Sequence, residues 1–299
     1  MSDRLKLVGF GVALVVVFAA ALGIGRLAAP DSAPDEPTPA GLADSAGGYT
    51  LTPIEAPGAP DTSGTLRFRI TGPDGTAVTR FATRHDEKLH LIVVRSDGTG
   101  YRHVHPAMDA AGLWSIDWSW AEPGSYRVFA DFSPEGAEEL VLSRAVEVPG
   151  AVALQPLPPP AAVARVDGYE VTLTGELSTA GSELRFAVRR DGVPVTDLEP
   201  YLGAYAHLVA LRAADLAYLH VHPEGEVGRT PPGPEVSFHA EAPSTGDYRL
   251  YLDFKHGGRV HTAEFTAAVV EQESSGDGHG HDHGTGSDSS SDSGEHGHG

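Results

Sequence analysis

The middle of the chain is a series of short apolar runs separated by Gly, Pro and Asp. Branched aliphatic and aromatic residues are frequent in these runs, and no helical periodicity continues beyond two turns, so the pattern predicts strands and turns. In the first half the runs cover residues 66–70, 89–94, 101–105, 113–118, 126–132 and 145–148. About seven such strands in roughly 100 residues are typical of an all-β sandwich, either immunoglobulin-like or cupredoxin-like.

The same pattern occurs twice, which predicts an internal duplication. The histidine-containing segments 90–91 and 103–106 correspond to 207–208 and 220–223, at an offset of 117 residues. The segments 124–127 and 131–132 correspond to 246–249 and 253–254, at an offset of 122 residues. The extra residues fall in a stretch rich in Gly and Pro, which indicates a loop. We therefore predict two tandem β-sandwich domains.

Changes in composition divide the chain into six segments. They are a transmembrane anchor or signal peptide (1–27), a flexible tether (28–48), the first sandwich (49–150), a Pro-rich linker (151–162), the second sandwich (163–270) and a His/Gly/Ser/Asp-rich tail (271–299). The tether and the tail have no apolar periodicity, so both are predicted to be disordered. The linker is predicted to be a stiff spacer.

The apolar segment 7–25 near the N-terminus has no charged side chain. As a helix rising about 1.5 Å per residue, it is long enough to cross a hydrocarbon core of about 30 Å. Arg4 and Lys6 precede it and acidic residues follow, so the positive-inside rule predicts a single-pass protein of the cell membrane with most of the chain extracytoplasmic. The alternative is a secretory signal, cleaved near Ala28, and a secreted protein.

Three histidines of the first copy are predicted to converge on one face of a hairpin. A turn at residues 97–98 places Ile92 opposite His103 and His90 opposite His105. Alternate side chains of a strand share a face, so the three imidazoles lie on the same side of the sheet. Cross-strand neighbours have Cβ atoms about 4.5–8 Å apart, a separation that imidazoles on one metal ion can span. The spacing therefore predicts a copper site, with zinc as the alternative.

The second copy repeats these intervals and predicts a second site. In the first copy alone, a methionine near the histidines would add a thioether ligand that favours copper(I). The candidate ligands of the two sandwiches are His90, His103, His105, Met108, His207, His220 and His222. The alternative interpretation is structural: an HxHP motif at a strand edge, with its imidazoles bonded to the backbone and the proline ending the strand.

Further candidates lie outside these ligand sets. Asp131 and Asp253 either hold an imidazole in one tautomer or face solvent, and His85 is a weaker candidate ligand. In the tail, alternating Gly and His predict a metal affinity suited to loading or buffering. The tail ligands are His279, His281 and His283. The alternatives for the tail are a purification tag or a solubilising segment.

The composition narrows the possible functions. Among 299 residues the formal net charge is -20, which argues against nucleic acid as a partner because phosphate binding needs a basic surface. The absence of Cys excludes disulfides, thiolate metal sites and Cys nucleophiles. No carboxylate at a fixed spacing from the histidines in both copies is an evident general base, and no serine nucleophile elbow, phosphate loop or dinucleotide fingerprint is present. We therefore predict a binding protein and not an enzyme.

Longer segments around the histidines suggest a family. HLIVVRSDGTGYRHVHP and HLVALRAADLAYLHVHP, each followed by a GxYRxxxDF motif, resemble secreted YtkA-like or FixH-like sandwich domains. They are more loosely similar to periplasmic copper-handling proteins of the CopC kind, whose sites use His with Met or Asp, although this chain lacks a Met-rich loop. The resemblance covers most of residues 60–270 and implies an extracytoplasmic role in metal supply or tolerance.

Two functional hypotheses follow. The first is a membrane-anchored, extracytoplasmic metal-binding protein, a copper chaperone or buffer in metal homeostasis or resistance. Its expected partners are metal ions, the membrane and another metal-transport protein. The second is a non-catalytic immunoglobulin-like scaffold or adhesion module with structural histidines. Metal stoichiometry separates them, because the first predicts about two specific sites in the sandwiches and the second predicts none.

Overall fold

The computed structural model describes residues 40–219 and 221–270, which form strands, turns and loops. Within these described ranges there is no helix long and apolar enough to cross a membrane. The apolar segment 7–25 and the tail 271–299 lie outside them, so the anchor, the signal peptide and the metal-binding tail stay predictions. The all-β prediction is confirmed for the two repeats.

Two antiparallel sheets form the first repeat. In the described part of this repeat there are nine strands: β1 (Ser45–Ala46), β2 (Tyr49–Leu51), β3 (Gly64–Thr71), β4 (Leu89–Arg95), β5 (Arg102–Val104), β6 (Ala107–Met108), β7 (Leu113–Trp118), β8 (Gly124–Phe132) and β9 (Leu140–Val148). One sheet has the order β1-β2-β3-β7-β6 and the other the order β5-β4-β8-β9. The six apolar runs of the sequence correspond to β3, β4, β5, β7, β8 and β9.

The second repeat has the same plan. Its ten strands in the described residues are β10 (Val163–Val166), β11 (Tyr169–Thr174), β12 (Ser182–Arg190), β13 (Val193–Pro194), β14 (Ala206–Arg212), β15 (Tyr218–Leu219), β16 (Val221–Glu224), β17 (Glu235–Ala240), β18 (Gly246–His256) and β19 (Arg259–Val269). The two sheets have the orders β10-β11-β12-β17-β16, with β13 beside β12, and β15-β14-β18-β19.

The hairpin register predicted around the histidines is confirmed. Ile92 pairs with His103 across β4 and β5. Gly98 supplies the positive φ of 78° that the intervening turn requires. In the second repeat Ala210 pairs with Leu219, which is the same register shifted by 117 residues. The duplication therefore extends from the sequence to the pairing of individual residues.

The HxHP motif does not continue the hairpin strand as far as the sequence predicts. β5 ends at Val104, and beyond Pro106 the chain crosses to the other sheet, where β6 pairs with β7. Proline has no N–H for the ladder, so the strand pairing ends there. The second repeat makes the same switch, because β15 pairs with β14 whereas β16 pairs with β17. The histidine motif therefore lies where the chain changes sheets.

The prediction of a flexible tether over residues 28–48 is wrong for the C-terminal part of that segment. β1 lies within it and pairs with β2. Just before β1, the carbonyl of Ala40 accepts a hydrogen bond from the N–H of Tyr218 at 2.9 Å. The hydroxyl of Ser143 donates to the carbonyl of Gly41 at 2.6 Å. A Pro- and Ala-rich composition gives no sign of these backbone contacts, which dock the segment against both repeats.

Each repeat has its own hydrophobic core between its two sheets. The first core contains Trp114, Trp118 and Trp120, which are all buried. The second core contains the edge-to-face pair of Phe186 and Phe238, with ring centroids 5.8 Å apart. Separate cores of this kind are what two independently packed domains require.

A third apolar cluster joins the two repeats, and we call it the repeat junction. It forms between the outer faces of the β5-β4-β8-β9 and β15-β14-β18-β19 sheets. Its buried members are Ile92, Val94, Phe129, Val209, Leu211, Leu216, Tyr218 and Tyr251. Beside them Tyr101 stacks on Tyr251, with ring centroids 4.1 Å apart. The linker 151–162 therefore connects two docked repeats.

Candidate metal centre

Three histidines of the first repeat meet beside the repeat junction, and we call His90, His103 and His105 the histidine cluster. β4 carries His90 and β5 carries His103, while His105 follows where the chain changes sheets. His90 Nδ1 lies 3.0 Å from His103 Nε2 and 3.1 Å from His105 Nε2. One ligand atom from each residue lies within 4.8 Å of the others, as a shared metal ion requires. The structure thus brings together the three histidines that the sequence singles out.

Contacts outside the cluster decide which nitrogens carry protons. His90 Nε2 lies 3.2 Å from the carbonyl oxygen of Arg84, so Nε2–H donates and Nδ1 keeps its lone pair. His103 Nδ1 lies 3.0 Å from Asp253 Oδ2, so Nδ1–H donates and Nε2 keeps its lone pair. In the neutral rings, the two nitrogens that face each other at 3.0 Å are therefore both acceptors.

Two facing lone pairs at this distance repel each other unless a positive charge lies between them. A proton on His105 Nε2 can serve one of the two acceptors but not both. A cation bound by the three nitrogens satisfies all of them. Nitrogen ligands about 2.0–2.1 Å from a metal ion are separated by roughly 3.3 Å in a tetrahedral site and roughly 2.9 Å in a square-planar one. The separations of 3.0 and 3.1 Å lie between these values.

Burial keeps the imidazoles of His90 and His105 in the form that binds metal. Desolvation, together with the neighbouring imidazoles, lowers the pKa of His90 from 6.5 to about 3. Desolvation also lowers the pKa of His105 and that of His207 to about 4. Neutral imidazole is the ligand form, so at His90 and His105 protons compete with a metal ion only well below neutral pH.

The hydrogen-bond partner of His103 comes from the second repeat. Asp253 lies in β18 with its side chain only 3% exposed. Its Oδ2 also accepts from the hydroxyl of Tyr101 at 3.1 Å, and its Oδ1 accepts from Thr262 at 2.6 Å. Of the two roles that the sequence leaves open for Asp253, the structure shows the buried one, directed at an imidazole of the opposite repeat.

A histidine of the second repeat stands next to the cluster. The ring centroid of His207 lies 6.2 Å from that of His103 and 6.4 Å from that of His90. His207 Nε2 donates to the carbonyl of Tyr201 at 2.9 Å. A cavity of about 50 Å³, lined by all three rings and by His85, has room for a small ligand such as water or hydroxide.

Two backbone carbonyls at the site are not indicated by any residue type in the sequence. Arg84 accepts from His90, and Tyr201 accepts from His207. Both carbonyls stand six residues before their histidine, at equivalent places in the two repeats. Because every residue has a backbone carbonyl, no residue type marks these two positions. The equal spacing from the histidine in the two copies is the one sequence signal that points to these carbonyls.

The remaining predicted ligands are not part of the described cluster. Met108 lies in β6, in the sheet opposite β4, and packs against the first core. The side chains of His220, His222, His279, His281 and His283 lie outside the described part of the structure. A second site in the second repeat and metal binding by the tail therefore stay predictions.

By its fold and its histidine cluster, the protein is a pair of tandem β-sandwiches that dock face to face, with imidazoles gathered where the two sandwiches meet. The chain belongs to a family described as a domain of unknown function, DUF8832, whose model matches residues 44–149 and 164–271. The two matches correspond to the two repeats. No curated protein matches the chain.

Comparison with solved structures gives matches of low similarity. Alpha-2-macroglobulin from Salmonella aligns with 80% of this chain at 16% identity and a TM-score of 0.27, and the chain spans 16% of that protein. Invasin, a bacterial integrin-binding protein, aligns with 73% of this chain at 12% identity and a TM-score of 0.22, over 39% of its own length. The D0-D1 domain of intimin aligns with 74% of this chain at 12% identity and a TM-score of 0.21, over 97% of its own length. TM-scores this low assign no function.

Proposed function

We propose that this protein binds a transition-metal ion through the histidine cluster and serves as an extracytoplasmic metal chaperone or buffer. The observation that carries the proposal is the 3.0 Å approach of His90 Nδ1 to His103 Nε2, two nitrogens that the outside contacts make acceptors in the neutral rings. Their tautomers are set by acceptors outside the cluster, so the conflict is not relieved by rotating a proton. A metal ion relieves it.

The donor set favours copper(II), with zinc as the alternative. Imidazole nitrogen suits both ions, and copper(II) stands highest in the affinity order of the divalent metals. The nitrogen separations between the tetrahedral and square-planar values are compatible with either ion. Met108 packs in the core, so the described residues offer no thioether that would favour copper(I).

The strand order favours the immunoglobulin-like form of the sandwich. The order β2-β3-β7-β6 against β5-β4-β8-β9 matches the A-B-E-D and C′-C-F-G sheets of that fold. In the second repeat β11-β12-β17-β16 and β15-β14-β18-β19 repeat it. We propose two immunoglobulin-like domains, of which the first carries His90 on its C strand, His103 on its C′ strand and His105 just after the C′ strand.

Location and partners are proposed from the sequence. The uncharged segment 7–25, with Arg4 and Lys6 before it, supports a single-pass anchor that holds the repeats outside the cytoplasm. The alternating Gly and His of the tail support capture of metal ions that the cluster then holds. Another metal-transport protein is the expected recipient. These features suit the supply of a metal and not its use in catalysis.

The test is a calorimetric titration of the full chain with copper(II) and with zinc. The five tail histidines are replaced by alanine so that they do not compete for metal. We expect a stoichiometric site that His103→Ala/His105→Ala abolishes. His256→Ala is the matched control, because this histidine bonds to Tyr169 and Asp197 outside the cluster.

The alternative function is an immunoglobulin-like scaffold or adhesion module with structural histidines. It predicts no heat of binding above background, together with loss of thermal stability in His103→Ala/His105→Ala. A binding stoichiometry that does not fall in the double variant would place the metal elsewhere and overturn the proposal for this cluster.

A further inference from the structure

The histidine cluster belongs to the first repeat, but the contact that orients one of its ligands belongs to the second. His103 Nδ1–H donates to Asp253 Oδ2 at 3.0 Å, across the repeat junction. The imidazole and the carboxylate are 5% and 3% exposed, so water does not compete for this bond. No first-repeat group is hydrogen-bonded to His103 Nδ1 in the described part of the structure.

The surrounding contacts of Asp253 show that its position depends on docking. The hydroxyl of Tyr101 donates to the same carboxylate oxygen at 3.1 Å, and the ring of Tyr101 stacks on Tyr251. The hydroxyl of Tyr251 in turn donates to the carbonyl of Gly98 at 2.7 Å. The turn of the histidine hairpin and the Asp253 carboxylate are therefore held by one set of contacts between the repeats.

The other side of the junction has a matching contact. The hydroxyl of Tyr218, in the second repeat, donates to Asp131 Oδ2 of the first repeat at 3.2 Å. Tyr218 and Asp131 are the sequence equivalents of Tyr101 and Asp253. Each repeat thus offers an aspartate to a tyrosine of the other, so the junction is a defined interface built from both copies.

We propose that Asp253 is a positioning residue for the metal centre, and that metal binding and docking of the two repeats are thermodynamically linked. The inference rests on the proposed function. Asp253 holds His103 in the tautomer whose Nε2 lone pair points at the metal position. When the repeats separate, this acceptor leaves and His103 Nε2 is free to take the proton.

The linkage works in both directions. A metal ion draws electron density from His103 and makes its Nδ1–H a stronger donor, so the bond to the buried carboxylate strengthens. Whatever factor docking contributes to metal affinity, metal binding contributes the same factor to docking. The metal affinity of the cluster therefore depends on whether the two repeats are docked. A partner that separates the repeats would promote release of the metal.

The first experiment is zinc titration of Asp253→Ala and Asp253→Asn in the full chain with the tail histidines replaced. We expect affinity to fall about 10–100-fold in Asp253→Ala, and less in Asp253→Asn, whose amide oxygen still accepts a hydrogen bond. Asp167→Ala is the matched control, because it removes a carboxylate that accepts a hydrogen bond from His261 within the second repeat, away from the cluster. We expect it to bind zinc as the parent chain does.

Nitrogen NMR of the metal-free chains reads the tautomer of His103 directly. We expect Nδ1–H in the parent chain and a shift toward Nε2–H in Asp253→Ala, which a loss of packing alone would not produce. Hydrogen exchange supplies the reciprocal measurement. Zinc should slow amide exchange in β14 and β18 of the second repeat in the parent chain and much less in Asp253→Ala.

The outcomes separate this inference from the proposed function. If the parent chain binds zinc and Asp253→Ala binds it equally tightly, the linkage is overturned while metal binding stands. If the parent chain binds no metal, both fail. If Asp253→Ala does not fold, Asp253→Asn decides through its zinc affinity, and an affinity equal to that of the parent chain overturns the inference.

Discussion

His90 ties the stability of the metal-free protein to pH. Burial lowers the pKa of His90 to about 3, whereas a histidine in the unfolded chain titrates near 6.5. Between these values the unfolded state binds more protons, so the stabilisation that is complete above pH 6.5 is lost as the pH falls. For one such imidazole the loss between pH 7 and pH 5 is about 2 kcal/mol.

We therefore expect His90→Asn to lose less stability than the parent chain between these two pH values. The measurement is the free energy of unfolding by urea at pH 7 and pH 5, with a chelator present. An equal loss in both proteins would mean that His90 is protonated in the folded state at pH 5, and that its burial does not exclude a charge.

At the residue scale, the sequence predicts which histidines share a face but not what holds them. The thirteen- and two-residue spacings and the turn at Gly98 are enough to bring His90, His103 and His105 together. The tautomers depend on Arg84 and Asp253. One contact uses a backbone carbonyl and the other crosses to a second domain, and no local pattern specifies either.

At the scale of elements, β4 is buried on both faces. Leu91 and Val93 belong to the first core, whereas Ile92 and Val94 belong to the repeat junction. All seven residues of β4 are buried. A continuous apolar run is typical of a strand covered on both sides, whereas a sandwich strand with one face in water alternates with polar residues.

Because β4 is buried on both faces, truncating a side chain on either face should destabilise the protein. We expect Leu91→Ala and Ile92→Ala each to lower the free energy of unfolding by about 2–5 kcal/mol, because both side chains are fully buried. Urea unfolding measures both, and Val163→Ala, at a side chain 40% exposed, is the control. A negligible effect of Ile92→Ala alone would show that the junction opens freely in solution.

The sequence predicts the six principal strands of the first repeat and the hairpin register, because both follow from local periodicity and turn residues. It does not predict the switch between sheets after His105. Pro106 indicates that a strand ends, but the neighbour that the chain then meets depends on how the two sheets pack. His105 lies between the end of β5 and that proline, so it is not part of the hairpin ladder.

At the scale of the whole molecule, the duplication is evident in the sequence and the docking is not. Ile92 and Val94 are apolar and lie on the same face as the histidines. They indicate only that another part of the protein must cover this face. The linker looks like a spacer from its prolines, yet the N–H of Gln155 donates to Asp97 at 2.9 Å, on the hairpin turn of the first repeat. Long-range contacts of this kind have no local sequence signature.

The last prediction separates docking of the repeats from their folding. Leu211 is fully buried in the repeat junction and belongs to neither core. A glutamate there would be an unpaired buried charge, which costs several kcal/mol, and moving the repeats apart exposes it to water while both cores stay intact. We expect Leu211→Glu to raise the radius of gyration in small-angle X-ray scattering and to leave the far-ultraviolet circular dichroism unchanged.

Val260→Glu, at a valine that is 40% exposed, should leave the radius of gyration unchanged. Loss of the β-sheet circular dichroism in Leu211→Glu would mean that the repeats fold only as a docked pair. An unchanged radius of gyration would mean that the junction accommodates the charge. If the repeats do separate, Asp253 no longer contacts His103. Leu211→Glu should then also bind zinc more weakly, although every histidine of the cluster is present.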